Sequence, residues 1–234
     1  MTSTTRTDPP RPRPEIGLRT AGGPPLLVPA IAFAALTVAA VAVSIHTPTP
    51  GASPQSVLNY QLEHGTVVRL GGFLQFAAAL PLAIWAATVH GRLHALGVRA
   101  VGATMALVGG VLASASLALG GLIAWTSAET AHLGDPVTAR VLGDLAFATG
   151  AVGYVMPFAL LIAGVAVPAL LKRLMPRPLA ITGLIIVAIG MLSTATLLTL
   201  TLGPTVPLVR FGGLIWLLAV SILLTRSRPR RVSA

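Results

Sequence analysis

Residues 67–91 read VVRLGGFLQFAAALPLAIWAATVHG and decide the fold class. The stretch is apolar over a length sufficient to cross a bilayer, which takes about 20 residues of α-helix. Arg69 lies just inside its first end, and an arginine followed three residues later by glycine also opens the apolar runs that begin at Arg140 and Arg210. This repetition predicts helical hairpins that cross a membrane, with an arginine at the same end of every second helix.

The composition of the whole chain indicates the same surroundings. Hydrophobic residues make up 54% of the 234 positions and charged residues only 9%, whereas roughly a quarter of the residues of a soluble domain are charged. Such a chain cannot cover a globular surface with polar groups, so we expect the lipid bilayer to surround it. The chain contains no cysteine, which excludes disulfides, thiolate metal sites and thiol catalysis.

The apolar runs predict an all-α, multi-pass transmembrane bundle within residues 26–225. A disordered, basic, proline-rich tail (1–25) precedes the bundle, and a basic C-terminal tail (226–234) follows it. We expect six helices, at residues 26–45, 67–89, 100–125, 136–171, 179–202 and 206–225. Ser53 and Asp135 each precede a proline, a pair typical of a helix start.

Some irregularities of the helices are also predicted. Residues 56–64 form a short amphipathic helix at the membrane interface, which Gly65 ends. Pro81 kinks the second transmembrane helix, because proline removes one backbone hydrogen bond. The fourth helix is longer than one crossing requires, so we expect it to tilt, to project beyond the lipid, or to bend near Pro157 or Pro168.

The basic residues predict the orientation of the bundle, because lysine and arginine mark cytoplasmic loops. Thirteen of the sixteen fall on one side of a six-helix arrangement: Arg6, Arg11, Arg13, Arg19, Arg92, Arg99, Lys172, Arg173, Arg177, Arg226, Arg228, Arg230 and Arg231. Both termini are therefore expected in the cytoplasm of a plasma-membrane protein. This asymmetry accounts for the formal charge of +10 without a nucleic-acid partner. A cleaved signal peptide ending near Ala42 is the alternative for the first helix.

The three remaining basic residues, Arg69, Arg140 and Arg210, fall on the predicted outer side. One hypothesis is a shared pocket in which their guanidinium groups and the helix N-termini bind a carboxylate or phosphate, with Asp144 orienting Arg140. The alternative is that each arginine extends separately to the interface, Arg140 pairing with Asp144 and Arg69 with Glu63. In neither case is a catalytic residue predicted.

Other polar residues form a second candidate group on the predicted outer side. Glu63, His64 and His132 are expected there as a polar cluster, and a metal site that adds further outer histidines and acids is the less favoured alternative. We predict no metal and no cofactor, because no histidine falls in the middle of the membrane to hold a haem. The sequence also lacks a nucleophile elbow, a phosphate-binding loop and a metalloprotease helix.

Small residues recur at every fourth position of the third helix, where close backbone approach favours helix–helix contact in lipid. They are Gly102, Ala106, Gly110, Ser114 and Ala118. This row predicts contact with the second helix, which carries a shorter row of its own. It also suggests an alternative role, in which the chain is a scaffold or accessory subunit that holds a membrane-protein partner.

Three segments carry a resemblance to a known group of proteins: GDLAFATGAVGY at 143–154, LLKRLMPRPLAITGLI at 170–185 and RFGGLIWLLAVSILL at 210–224. Together they resemble uncharacterised six-helix bacterial membrane proteins classed as domains of unknown function. The resemblance covers about the last hundred residues. It implies the six-helix topology and no activity. In that family the arginine and the acid are adjacent, whereas Asp144 comes four residues after Arg140.

These observations favour a non-enzymatic protein that binds or passes a lipophilic or anionic small molecule. A lipid-modifying enzyme is a further alternative, since the groups able to transfer protons are predicted on the outer side only.

Overall fold

The computed structural model describes residues 25–98 and 101–226, and all regular structure in these ranges is helical. The α-helices are α1 (Leu27–Val43), α2 (Pro54–Ala95), α3 (Val101–Thr130), α4 (Pro136–Phe147), α5 (Gly153–Leu171), α6 (Arg177–Ser193) and α7 (Thr205–Arg226). A π-helical turn (Ala148–Val152) joins α4 to α5 without a break. The predicted tails lie outside the described residues, apart from Pro25 and Arg226.

Five stretches of helix are long and apolar enough to cross a membrane. They are Pro54–Ala95, Val101–Leu133, Pro136–Leu171, Arg177–Leu197 and Leu200–Leu224. The apolar helix α1 has 17 residues and is shorter than the roughly 20 that a crossing takes. The prediction of an all-helical, multi-pass membrane protein is therefore confirmed, with five such stretches and one shorter apolar helix.

The predicted helix starts at Ser53 and Asp135 are confirmed. The Ser53 hydroxyl accepts a hydrogen bond from the Ser56 backbone at 3.2 Å. The Asp135 carboxylate accepts from the backbone N–H groups of Val137 and Thr138, at 3.1 and 3.2 Å, and from the Thr138 hydroxyl. These bonds, the Thr138 hydroxyl first, hold the pKa of the Asp135 carboxyl below its ordinary value, because they favour the charged form.

Helix α2 consists of two helical segments that meet at a kink. The backbone leaves the helical region at His64 (φ −121°, ψ 26°), whereas Pro81 lies within regular helix. The prediction of a short amphipathic helix that ends before the membrane helix is therefore confirmed, one residue before the expected Gly65. A glycine ends a helix by adopting positive φ, and Gly65 does not adopt it, so the two segments join without a glycine cap.

The irregularity between α4 and α5 also lies elsewhere than predicted. We expected a bend near Pro157 or Pro168, and the π-helical turn ends five residues before Pro157. Proline cannot donate a hydrogen bond to the preceding turn, so the segment just before Pro157 is where the regular ladder is most easily interrupted. Such π-helical turns are frequent at functional sites.

Helix α6 is shorter than predicted and ends at Ser193. Two 3₁₀ turns, Thr194–Leu197 and Leu200–Leu202, replace its last part. Threonine hydroxyls in this segment bond to nearby carbonyl groups, as Thr194 does to Met191 at 2.6 Å. Such local bonds compete with the regular helical ladder, which explains the early end.

Helix α3 packs between α2 and α5 through its small residues. A methyl group on Gly121 would lie 2.6 Å from the Gly72 carbonyl oxygen on α2, and one on Gly164 of α5 would lie 2.6 Å from the Gly102 carbonyl oxygen. The backbones are therefore in direct contact on both sides. Within the predicted row, Gly110 contacts α2 as expected, whereas Gly102 contacts α5, which was not predicted. Because its own chain covers this row, α3 does not present it to a partner.

The charged residues of the described chain are sorted between the two ends of the bundle. Near one end, the acidic end, lie the acids Glu63, Glu129, Asp135 and Asp144. Near the other, the basic end, lie Arg92, Lys172, Arg173 and Arg177. Arg92 donates to the Leu224 carbonyl at 2.5 Å, and Lys172 donates to the Gly97 carbonyl. These bonds join the ends of separate helices, so the basic end is a defined surface.

Candidate functional site

A cavity of about 270 Å³ lies at the acidic end, among the end of α1, the loop after it, α2, α4 and α7. We call it the end cavity. Its polar lining residues are Ser44, Thr47, Thr49, Tyr60, Gln61, Gln75, Ser127, Arg140, Asp144 and Arg210. With residues of α3 and of the π-helical turn added, the lining combines four α-helices (α2, α3, α4 and α7), that turn and the loop after α1, so a molecule bound there would contact most of the bundle.

Arg140 is held on the α4 side of the end cavity. Its Nε lies 2.7 Å from Asp144 Oδ2, one helical turn further along, and its Nη1 donates to the Ala52 carbonyl. The first contact is the pairing that the four-residue spacing predicts. The second fixes the guanidinium against the loop between α1 and α2. Arg140 therefore reaches the cavity in one defined orientation.

Arg210 lies on the α7 side of the same cavity and is held differently. Its Nη2 donates to the Gly150 carbonyl in the π-helical turn at 2.5 Å. Its guanidinium carbon lies 5.3 Å from the centroid of the Tyr154 ring, within the range of a cation–π contact. Arg210 Nε is buried without a hydrogen-bond partner among the described residues. A buried donor of this kind costs about 1–3 kcal/mol when unsatisfied, so the site favours an acceptor.

Gln61 and Ser127 add a polar pair that the sequence analysis missed. Gln61 Nε2 donates to Ser127 Oγ at 2.6 Å, and Gln61 Oε1 is buried without a partner in the described chain. Val57 and Leu58 are buried on the same helical face. The position of Gln61, one turn after two apolar residues, could have indicated that its side chain is buried. The prediction that this segment lies at the membrane interface hid that signal.

Gln75 lies where α2, α3 and the π-helical turn meet. Its amide nitrogen lies against the backbones of Gly120 and Gly150, where a methyl group on Gly120 would approach it to 2.6 Å. The side chain therefore occupies the space that two glycines leave between α3 and the π-helical turn. It also lines the end cavity, so it connects helix packing with the site.

Arg69 does not line the end cavity, so the predicted convergence of three arginines is corrected to two. Its Nε lies 3.3 Å from Glu129 Oε1, with 51% of its side chain exposed. The expected partner was Glu63. Antiparallel α3 brings Glu129 beside Arg69, while Glu63 precedes the break at His64. The shared sequence pattern predicts the end of the bundle at which the three arginines lie. It does not predict the helix face on which each one lies.

The predicted cluster of Glu63, His64 and His132 consists of exposed residues. The His64 ring stacks on Tyr60, with 4.7 Å between centroids, and His132 Nδ1 lies 2.6 Å from the Glu129 carbonyl oxygen. Each histidine thus has a local contact, and the cluster stays a prediction. Within residues 25–98 and 101–226, no three histidine or acidic side chains are arranged to hold a metal ion.

The electrostatics of the end cavity favour an anion. Arg140 and Arg210 carry two positive charges and Asp144 one negative charge, which leaves an excess of one positive charge in a partly desolvated space. Charge interactions are stronger there than in bulk water. Among the described residues that line it, none is histidine or lysine. The carboxylate that lines it, Asp144, is paired with Arg140, so the arrangement suits the binding of an anion.

Comparison of the chain with protein-family models, with curated proteins and with solved structures finds no match. The resemblance of the last hundred residues to uncharacterised six-helix proteins therefore has no support from a family model.

Proposed function

We propose that this chain is a multi-pass plasma-membrane protein that binds, or passes, a small molecule carrying an anionic group in the end cavity. The observation that carries the proposal is Arg210, a half-buried side chain whose Nε is buried without a partner in the described chain and which shares the cavity with Arg140. A carboxylate or phosphate supplies the missing acceptor through a charge-assisted hydrogen bond. No reaction is assigned to the ligand.

The apolar part of the lining supports an amphiphilic ligand. Val68, Phe147 and Ala151 face the same space as the arginines. Binding sites for small molecules are usually lined by apolar side chains, with a few polar groups that fix the orientation of the ligand. A medium-chain carboxylate fits this combination, with its charge between the guanidiniums and its carbon chain against the apolar residues.

The distribution of charge supports an orientation for the site. Because the described basic residues of the connecting segments lie at the basic end, we propose that this end and both termini face the cytoplasm. The end cavity then opens towards the outer side. The chain contains no cysteine, so Thr49→Cys and Arg173→Cys each introduce one site. A membrane-impermeant maleimide should label Thr49→Cys in intact cells. Labelling of Arg173→Cys and not of Thr49→Cys would show that the protein has the opposite orientation.

Anion binding is tested by thermal unfolding of the purified chain in nonionic detergent, with octanoate, inorganic phosphate and the neutral octanol as probes. A ligand that binds only the folded state raises the unfolding midpoint with its concentration. We expect octanoate to raise the midpoint and octanol to leave it nearly unchanged. A response to phosphate as strong as that to octanoate would identify a free anion, rather than an amphiphile, as the ligand.

The decisive variants are Arg210→Gln and Arg177→Gln. Both remove one positive charge, but Arg177 is exposed at the start of α6, at the basic end. We expect Arg210→Gln to abolish the octanoate response and Arg177→Gln to retain it, while Arg210→Lys keeps part of it. If folded Arg210→Gln protein responds to octanoate as the unchanged protein does, the cavity is not the anion site.

A further inference from the structure

A second concave surface lies outside the bundle, between α2 and α3 near the acidic end. It encloses about 550 Å³ and includes Arg69, Phe73, Phe76, Leu122 and Trp125 among its lining residues. We call it the α2–α3 groove. It faces outward, because Phe73 is 60% and Trp125 48% exposed. In a membrane the groove therefore opens to lipid. Gly72 also lines the end cavity, but neither Arg140 nor Arg210 lines the groove.

Two glycines create the groove. Gly72 and Gly121 face each other across the helix contact, and a methyl group on either would lie within 2.7 Å of the carbonyl oxygen of the other. The floor is therefore bare backbone, and the larger side chains on either side form the walls. From Arg69 to Phe76 the wall on α2 rises about 10 Å along the helix. This length and its apolar lining suit one hydrocarbon chain lying along the helix axis.

Two opposite charges lie at the mouth of the groove. Arg69 precedes Phe73 by one helical turn on α2, and Glu129 follows Trp125 by one turn on α3. Their side chains are 3.3 Å apart, Nε to Oε1, and both are substantially exposed, at 51% and 39%. The mouth therefore offers a guanidinium and a carboxylate side by side, with no excess of either charge between the two.

We propose that the α2–α3 groove binds a zwitterionic phospholipid whose head group combines a phosphodiester with a primary ammonium. Arg69 binds the phosphodiester, since guanidinium groups match phosphate geometry. Glu129 accepts hydrogen bonds from the ammonium, and one acyl chain lies over Gly72 and Gly121 between the aromatic walls. The lipid comes from the leaflet that meets the acidic end. This proposal is independent of the function proposed for the end cavity.

The charge pair separates this head group from its common competitors. An anionic head group is attracted by the guanidinium of Arg69. It is also repelled by the carboxylate of Glu129, which lies next to the phosphate site, and it offers that carboxylate no positive group to pair with. A choline head group carries a quaternary ammonium, which has no N–H to donate to Glu129. A head group that combines a phosphodiester with an N–H cation gives Arg69 and Glu129 each a hydrogen-bonding partner of opposite charge, whereas hydroxyl groups offer Glu129 a donor without a charge.

The test is native mass spectrometry of the full chain, loaded with equal amounts of phosphatidylethanolamine, phosphatidylcholine and phosphatidylglycerol of identical acyl chains. We expect the unchanged protein to retain phosphatidylethanolamine over each of the other two by up to about fivefold, the range that one exposed charge interaction provides. Arg69→Gln should lower the retention of all three lipids. Glu129→Gln should remove the preference over phosphatidylcholine and raise the retention of phosphatidylglycerol.

Glu63→Gln is the matched control for Glu129→Gln. It removes one exposed carboxylate at the same end of the bundle and should leave the lipid preference as it is. Equal retention of the three lipids by the unchanged protein, a preference for phosphatidylglycerol, or an identical response of Glu63→Gln and Glu129→Gln would each overturn the proposal. The substituted side chains are exposed, so a thermal melt suffices to show that the variants fold.

Discussion

Glycine has opposite uses in two regions of this bundle. Where α3 meets α5, Gly102 and Gly164 bring two backbones into direct contact. At the end cavity, Gly143 on α4 meets only one side chain, and a methyl group there would lie 3.7 Å from Val57. Gly102 and Gly164 thus allow two helices to touch, whereas Gly143 leaves open space beside its helix. The comparison shows that a glycine in this bundle marks either a backbone contact or open space, and that the distance to the nearest atoms of other elements distinguishes the two.

The physical reason lies in the forces available within a membrane. Lipid provides no hydrophobic drive between helices, so close packing and dispersion hold them together, and the contact of α3 with α5 uses both. The end cavity forgoes those contacts and leaves polar atoms such as Arg210 Nε without partners. A folded protein tolerates such a cost at sites of function. Variants in the two regions should therefore respond differently to the same change.

The largest difference is expected for a single added methyl group. Gly164→Ala would place a methyl group against the Ala106 backbone and 2.6 Å from the Gly102 carbonyl oxygen, an overpacking that should lower the free energy of unfolding by about 1–3 kcal/mol. In Gly143→Ala the added methyl group makes an ordinary van der Waals contact. This variant should raise the free energy of unfolding by up to about 1 kcal/mol, because alanine is more stable than glycine within a helix. Unfolding in mixed micelles by increasing denaturing detergent measures both.

Gly91→Ala serves as the control for these two variants, because nothing lies within 4 Å of a methyl group at that position. It should behave like Gly143→Ala. Similar free energies of unfolding for Gly164→Ala and Gly143→Ala would remove the distinction between the two regions.

A smaller difference is expected when a hydrogen-bond acceptor is removed. Trp85 Nε1 donates to Ser221 Oγ at 2.8 Å in the fully buried core, so Ser221→Ala leaves the indole N–H unsatisfied and should cost about 1–3 kcal/mol. Ser127→Ala removes the acceptor of Gln61, which borders the cavity. Water can replace the lost bond there, so the loss should be less than half as large in the same unfolding experiment. An equal loss would mean that the cavity is dry.

The smallest change concerns charge alone, at Asp144. Asp144→Asn raises the excess positive charge of the cavity lining from one to two. Octanoate should therefore bind more tightly by about fivefold, corresponding to about 1 kcal/mol of added attraction in a partly hydrated site. Titration by thermal unfolding measures the affinity. Weaker binding would mean that Asp144 acts chiefly by orienting Arg140 and that its negative charge does not compete with the ligand.

Much of the fold could be predicted because it depends on short-range signals. Apolar length determined the membrane-crossing stretches, and the proline after Ser53 and Asp135 marked two helix starts. The exact residues of the break at His64 and of the π-helical turn before Pro157 could not be predicted, because a glycine or a proline favours an interruption nearby without fixing its position. Gly65 marked the break to within one residue, although it does not cap the helix itself.

The candidate site was predictable only in part. The end of the bundle at which Arg69, Arg140 and Arg210 lie followed from their common place at the heads of apolar runs. Their direction did not, because it depends on the rotation of each helix about its axis, and α2 turns Arg69 towards Glu129 on the outer surface. Gln61 and Ser127 are 66 residues apart in the chain, and only the packing of α2 on α3 makes them a pair.

The central claim is that Arg140 and Arg210 bind an anion together in the end cavity. The most direct measurement is a crystal structure of the full chain with bromo-octanoate, in which the anomalous signal of bromine locates the ligand. The account predicts a bromine position inside the end cavity, with the carboxylate within hydrogen-bond distance of both guanidinium groups. Bromine density only in the α2–α3 groove or elsewhere on the surface, with the end cavity filled by water, would contradict it.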